Sequence, residues 1–155
     1  MQNEPGATAF WSAIPHRGRR AKPERVNRPD GAWNLEVMDS HGGWVSTAAD
    51  LVRLASAVFD RHPSLLTSES RDLMLSRPSL VGPEQRVWYG CGWQVRSVGD
   101  RGFNVWHSGA LDGTSTLLVR RWDGYSWAVL FNTDKSSKGT RLSSLIDPLM
   151  HPVIP

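Results

Sequence analysis

Apolar residues recur at helical spacing early in the chain. The spacing predicts a helix over about residues 47–60, with four apolar positions on one face: Leu51, Leu54, Ala55 and Val58. The hydroxyl of Thr47 precedes Asp50 by three residues, which is typical of a capped helix start. A shorter helix is predicted after Thr67. It should end before Pro78, because proline disfavours helical backbone in the residue before it.

The apolar period changes to two in the second half of the chain. This alternation predicts four strands, over residues 87–96, 103–109, 114–122 and 125–132. The last two strands are joined by Asp123-Gly124, a dipeptide favoured in two-residue hairpin turns. The other links are too short for a crossover helix, so we expect an antiparallel meander.

A closing helix follows the last predicted strand. Its apolar face consists of Leu142, Leu145, Ile146 and Leu149, and Pro148 should kink or end it because proline has no amide hydrogen. The element order predicts an α+β fold, with an antiparallel meander sheet of about four strands, flanking helices and the terminal helix on one sheet face. Five tryptophans fall on the predicted strands, and we expect them to pack: Trp88, Trp93, Trp106, Trp122 and Trp127.

Composition places the chain among ordinary globular proteins. Its 155 residues are 39% apolar and 21% charged, with a net charge of +3. A chain of this length is long enough to form one hydrophobic core. The single cysteine, Cys91, excludes a disulfide framework. Residues 1–5 have neither the basic start nor the apolar stretch of a signal peptide, and no apolar run is long enough to span a bilayer. We expect no membrane association, and the compartment stays open.

Basic residues concentrate near the N-terminus, at Arg17, Arg19, Arg20, Lys22, Arg25 and Arg28. The prolines among them indicate a loop, so we divide the chain into a loop-rich basic segment, residues 1–40, and a domain, residues 41–155. Such a segment near Trp11 and Trp33 could bind nucleic acid, with salt-dependent affinity. A solvated loop is favoured, because no nucleic-acid-binding motif accompanies the charges.

Several catalytic motifs are absent from the sequence. Ser-x-x-Lys does not occur, because the residues three positions before the only lysines, at 22, 135 and 138, are not serine. There is no Gly-x-Ser-x-Gly elbow, phosphate-binding loop or His-Glu-x-x-His helix. The five histidines lack ligand spacing, so we expect no metal and no cofactor. The glycines at 42 and 43, after His41, suit either an oxyanion loop or a helix-entry turn.

His107-Ser108-Gly109 offers more chemistry than any other local element. Adjacent strand residues point to opposite faces, so His107 and Ser108 cannot act as a Ser-His pair. Gly109 could leave the strand edge bare for a substrate backbone, with the amide of Ala110 as an oxyanion donor. A glycine that simply ends a strand before a turn is the other interpretation.

Several motifs together resemble the beta-lactamase-related serine hydrolases, and most of all the class C-like branch with its penicillin-binding carboxypeptidases, class C beta-lactamases and esterases. The resemblance covers about residues 30–150 and rests on residues 41–51, 89–93, 106–109, 113–116 and 130–133. It implies a partial beta-lactamase/transpeptidase-like fold. It also implies acyl transfer on an amide, lactam or ester, through an acyl-enzyme that water hydrolyses.

The resemblance assigns roles to the residues of the His-x-Gly motif. His107 would bond or polarise the substrate or a catalytic tyrosine, Ser108 and Gly109 would contact a small-molecule or peptide acyl substrate, and the Ala110 amide would complete the oxyanion hole. Lys138-Gly139-Thr140 has the residues of the related Lys-Thr-Gly motif in the wrong order, so it is rejected.

The family's Ser-x-x-Lys and Tyr-x-Asn motifs have no counterpart in this sequence. Tyr89 and Tyr125 are followed two residues later by Cys91 and Trp127, so neither fits the tyrosine motif. We therefore expect this chain to be the C-terminal part of a hydrolase and to be inactive on its own. The alternative is a pseudoenzyme or interaction module that binds a peptide or partner at a strand edge. In the resembled fold, N-terminal strands pair beside the last strand. Residues 125–132 should thus form an open edge that recruits another copy or a companion chain with the N-terminal half.

Overall fold

The structure is a computed structural model that describes residues 38–42, 44–60, 65–111 and 113–153. A short 3-10 turn, Asp39–His41, precedes the first helix. The helices are α1 (Ala48–Phe59), α2 (Ser68–Leu75) and α3 (Leu142–Met150). The strands are β1 (Val87–Tyr89), β2 (Gln94–Ser97), β3 (Phe103–Leu111), β4 (Thr114–Arg120) and β5 (Ser126–Phe131).

The strands form one antiparallel sheet in chain order, β1-β2-β3-β4-β5. The predicted α+β class and meander are confirmed, with five strands where about four were expected. The prediction of a single strand over residues 87–96 was wrong, because the chain reverses between Gly90 and Trp93. The Gly90 amide donates to the Trp93 carbonyl at 2.8 Å, and Gly92 has a φ of 77°. Alternation continues through so short a turn, so the sequence pattern did not reveal it.

The turn between β4 and β5 has three residues, Trp122–Gly124, where two were predicted. The Arg121 amide donates to the Tyr125 carbonyl at 2.8 Å, and the Gly124 amide donates back to the Arg121 carbonyl at 3.2 Å. Gly124 has a φ of 97°, as the last residue of such a turn requires. Trp122 therefore leaves the strand and lies 41% exposed, beneath the guanidinium of Arg101.

Helices cover both faces of the sheet. On one face, α1 and α2 pack on a buried cluster made of Ala55, Trp88, Trp93, Val95, Val105 and Leu118. On the other face, Ile146 and Met150 of α3 pack against Leu117, Val119 and Trp127, as predicted for the terminal helix. Three of the five tryptophans are thus buried: Trp88 and Trp127 on strands, and Trp93 in the turn before β2 rather than on a strand as predicted.

The first helix begins and ends in polar contacts. Its predicted start is confirmed, because the Asp50 amide donates to the Thr47 hydroxyl at 3.1 Å and that hydroxyl donates to the Asp50 carboxylate at 2.8 Å. The helix ends beside Asp60, whose carboxylate pairs with Arg120 of β4 at 2.5 Å. The Asp60–Arg120 pair links the end of α1 to the sheet.

The last helix is capped from outside its own segment. Its N-cap residue, Arg141, makes no side-chain cap, and the amide of Ser143 instead donates to the hydroxyl of Ser115 on β4 at 3.2 Å. Both serines are buried. A strand side chain therefore satisfies a helix-terminal amide that would otherwise lack a partner.

The predicted apolar face of α3 is only partly used. Ile146 packs on the sheet, whereas Leu145 and Leu149 are 43% and 63% exposed. Pro148 lies inside the helix, which continues to Met150 and ends there. The proline therefore does not end the helix, which continues for two more residues. None of the helices in the described ranges is long and apolar enough to cross a membrane.

Candidate functional site

Strand β3 extends beyond the strand beside it. Strand β2 pairs with residues Phe103–Trp106 only, whereas β4 pairs with β3 as far as Leu111. From His107 to Leu111, β3 therefore has no strand partner on its β2 side among the residues that the structure describes. We call residues 107–111 on this side the open edge.

Two hydrogen bonds establish which backbone groups face the open edge. The Val98 amide donates to the Gly102 carbonyl at 2.9 Å, so the backbone groups of residue 102 point toward β2. The Leu111 amide donates to the Thr114 hydroxyl at 3.2 Å, on the β4 side. Backbone groups alternate between the two sides of a strand, so the N–H and C=O groups of Ser108 and Ala110 point to the open edge.

The histidine of the motif is paired with a tyrosine. The Tyr89 hydroxyl and His107 Nε2 lie 3.1 Å apart, at hydrogen-bond distance, and both side chains are exposed. Sequence reasoning set Tyr89 aside because it lacks the family's Tyr-x-Asn pattern. The pairing depends on the positions of β1 and β3, on either side of β2, and no sequence signal indicated it.

The packing around β3 explains why residue 109 of the motif is a glycine. Gly109 lies inside β3 directly opposite Thr116, so the interpretation that it ends the strand was wrong. A Cβ atom at this position would come 2.5 Å from the Thr116 hydroxyl oxygen, closer than real Cβ atoms approach other atoms. The glycine therefore makes room for Thr116 on β4.

A groove of about 590 Å³ lies between the sheet and α3, next to the open edge. Ser108, Ala110 and Trp106 line it from β3, and Arg141, Ser144 and Asp147 line it from the α3 side. Arg96, on β2, also lines the groove and lies 5.0 Å above the ring of Trp106. Two arginines and one aspartate give this lining a net positive charge.

The other sequence candidates lie apart from this site or outside the described residues. His41 and Gly42 close the 3-10 turn, where Gly42 has a φ of 127°, and Gly43 lies outside the described residues. Residues 17–28 fall outside the described ranges, so the proposed basic loop has no structural description. Within the described ranges, no group of three or more His, Cys, Asp or Glu side chains is placed to hold a metal ion.

The site and fold thus define an α+β domain with an open strand edge carrying a His-Ser-Gly sequence. The family model for Beta-lactamase matches residues 3–147, which is most of the chain and includes most of the basic segment. The chain belongs to the Beta-lactamase family, so the resemblance to beta-lactamase-related serine hydrolases is confirmed. Neither a curated protein nor a solved structure gives a match to this chain.

Proposed function

We propose that the open edge forms one wall of an acyl-transfer cleft, with a peptide, lactam or ester substrate lying along it. The observation that carries this proposal is the outward direction of the Ser108 and Ala110 backbone groups over a stretch of β3 that β2 leaves unpaired. An extended substrate can bond to such groups as an added strand would.

Three residues of the open edge then have distinct roles. The Ala110 amide donates to the substrate carbonyl oxygen, which becomes an oxyanion when a nucleophile adds to the carbonyl carbon. The Ser108 backbone groups hold the substrate chain in register, and the His107 side chain contacts it. The positive lining from Arg96 and Arg141 suits a substrate that carries a carboxylate.

The nucleophile of the proposed reaction lies outside these residues. The 155 residues contain no Ser-x-x-Lys, so we propose that the serine and its lysine lie on a segment outside them, which a companion chain can supply. Strand β5 provides a docking position, because within the described ranges it pairs only with β4 and contains no proline or charged residue. A second copy of the chain could occupy the same edge, giving self-association without turnover.

A binding module without catalysis is the alternative. The open edge needs no nucleophile to hold a peptide, because its backbone donors and acceptors already point outward. This alternative predicts affinity for extended peptides in general, whereas the first proposal predicts a preference for substrates with a reactive acyl group and a carboxylate.

The test is ligand binding by the full chain, followed by amide NMR and intact mass. The ligands are benzylpenicillin, a chromogenic short-chain ester and an uncharged extended peptide. We expect penicillin to shift the amide signals of Ser108 and Ala110 reversibly, with no mass increase and no ester turnover. Ala110→Pro should weaken binding about fivefold, because it removes one outward N–H without breaking a β3–β4 bond. Ala110→Ser keeps that N–H and is the matched control.

Three results would contradict the proposal. A covalent penicillin adduct, or ester turnover that His107→Ala abolishes, would show that a nucleophile operates within the chain. Equal penicillin affinity in Ala110→Pro and Ala110→Ser would show that the substrate does not use this amide. Binding of the uncharged peptide but not of penicillin would favour the binding module.

A further inference from the structure

The β1–β2 hairpin that carries Tyr89 is held rigidly against α2. The Cys91 amide donates to the Met74 carbonyl at 2.8 Å, and the Trp88 indole N–H donates to the Leu75 carbonyl at 2.9 Å. Gly90 lies so close to the Met74 carbonyl that any side chain would collide with it. Trp88, Gly90 and Cys91, which flank Tyr89, are thus held against the C-terminal turn of α2.

His107 is held just as firmly by the sheet, yet its ring is exposed. Its backbone lies in the long β3–β4 pairing, directly opposite the buried Leu118. The hydrogen bond to Tyr89, 3.1 Å long, occupies Nε2. The ring planes are inclined at 66°, in an edge-on arrangement. In the part of the chain that the structure describes, no other group bonds to the imidazole, so Nδ1 is the nitrogen left for a ligand.

The direction of this bond decides what Nδ1 can do. A neutral imidazole has one nitrogen that donates and one that accepts. A phenol hydroxyl is a stronger acid than a neutral imidazole N–H, so the hydroxyl is the better donor and Nε2 the better acceptor. Donation from Tyr89 to Nε2 requires the ring proton to reside on Nδ1.

From this geometry we propose that Tyr89 is a positioning residue that makes His107 a hydrogen-bond donor through Nδ1. The ligand atom that His107 meets is then an acceptor, such as a carbonyl or carboxylate oxygen, and His107 does not remove a proton from the ligand. The ligand side of this inference rests on the proposed function of the open edge. The state of the His107 ring does not depend on it.

The test is the imidazole nitrogen NMR spectrum of the full chain labelled with 15N-histidine, recorded above the titration range of histidine. A His107→Asn variant assigns the signals of His107. We expect the wild-type ring to carry its proton on Nδ1. Tyr89→Phe removes only a hydroxyl from a half-exposed ring, and it should shift the tautomer ratio toward Nε2–H by about two- to tenfold, the effect of one ordinary hydrogen bond.

The chain offers a matched control. Tyr125 is its only other tyrosine, is exposed to a similar degree, and has no hydrogen bond from its hydroxyl within the described ranges. Tyr125→Phe should therefore leave the His107 signals unchanged. A wild-type proton on Nε2 would overturn the inference even if Tyr89→Phe failed to fold. So would identical His107 tautomer ratios in the two variants.

A benzylpenicillin titration separates this inference from the proposed function. Suppose that penicillin fails to shift the amide signals of Ser108 and Ala110, while the His107 tautomer ratio responds to Tyr89→Phe as expected. The proposed function is then wrong, but the role of Tyr89 in setting the His107 tautomer stands. If penicillin binds the open edge, Tyr89→Phe should bind it about two- to tenfold more weakly than Tyr125→Phe. Equal affinities of the two variants would overturn the role of the Nδ1 donor in ligand binding.

Discussion

Replacing Gly109 with alanine tests why the His-x-Gly strand carries a glycine. The added Cβ would lie 2.5 Å from the Thr116 hydroxyl oxygen, about half an ångström inside the closest ordinary approach. Threonine is branched at Cβ, so rotating its hydroxyl away moves the methyl group or strains the rotamer. Gly109 itself has no positive φ, so alanine fits its backbone and crowding is the only cost.

The expected magnitude combines two opposing effects. Overpacking of this kind lowers the free energy of unfolding by about 1–3 kcal/mol. Alanine raises it by about 0.4–1 kcal/mol, because it restricts the unfolded chain more than glycine does. We therefore expect Gly109→Ala to lower the free energy of unfolding by about 1–2 kcal/mol. For a chain of this length that corresponds to a melting temperature about 2–8 °C lower. Urea denaturation of the wild type and the variant measures the difference directly.

The Thr116→Ala background provides the control. Without the hydroxyl, the nearest remaining side-chain atom of residue 116 is Cβ at 3.8 Å, an ordinary contact. Gly109→Ala should then be neutral or slightly stabilising, so the sign of the effect changes between the two backgrounds. A neutral effect in the wild type, or the same loss in both backgrounds, would refute the account of Gly109 as space for Thr116.

Three further predictions concern other parts of the molecule. Ser115→Ala leaves the buried Ser143 amide without its partner, so it should lower the free energy of unfolding by about 1–3 kcal/mol. Hydrogen exchange at the Ser143 amide should also become faster. An exchange rate equal to that of the wild type would contradict this prediction. Hydrogen bonds from Thr47 and Arg53 hold the pKa of Asp50 below its ordinary value, so the stability that Asp50 contributes should be present at neutral pH and lost as the pH falls through that lowered pKa. The urea midpoints of wild type and Asp50→Asn should therefore converge in acid, and a constant difference would refute the assignment. If two copies pair through β5, the mass measured by light scattering should rise with protein concentration. Leu130→Lys, at an exposed position of β5, should prevent this rise. A wild-type protein that stays monomeric at high concentration would exclude self-association through this edge.

The elements that depend on local signals were predictable from the sequence. The start of α1 follows from Thr47 and Asp50, which contact each other within a single helical turn. The strands from residue 103 onward follow from apolar alternation and glycine-rich turns. In these places the residues that determine the structure are neighbours in the chain.

What could not be predicted depends on contacts between distant residues. The break between β1 and β2 was hidden because apolar residues continue at every second position from Val87 to Val95, although the buried residue of β1 is Trp88. The Tyr89–His107 bond joins strands on either side of β2, and the cap of α3 comes from Ser115, 28 residues before Ser143. The open edge results from the difference in length between β2 and β3, which the spacing of apolar residues does not encode.

The position of α1 in the chain determines how long its apolar side chains are exposed during translation. Its inward residues, Leu51, Ala55 and Phe59, pack on a cluster that includes Leu118 and is bordered by Ala128. On the ribosome, α1 emerges before the strands that cover it, and β5 begins only at Ser126. These apolar side chains therefore lack that cover until late in translation, because the strands that supply it follow α1 in the chain. Nascent chains stalled before residue 126 should bind holding chaperones, and those released after residue 131 should not.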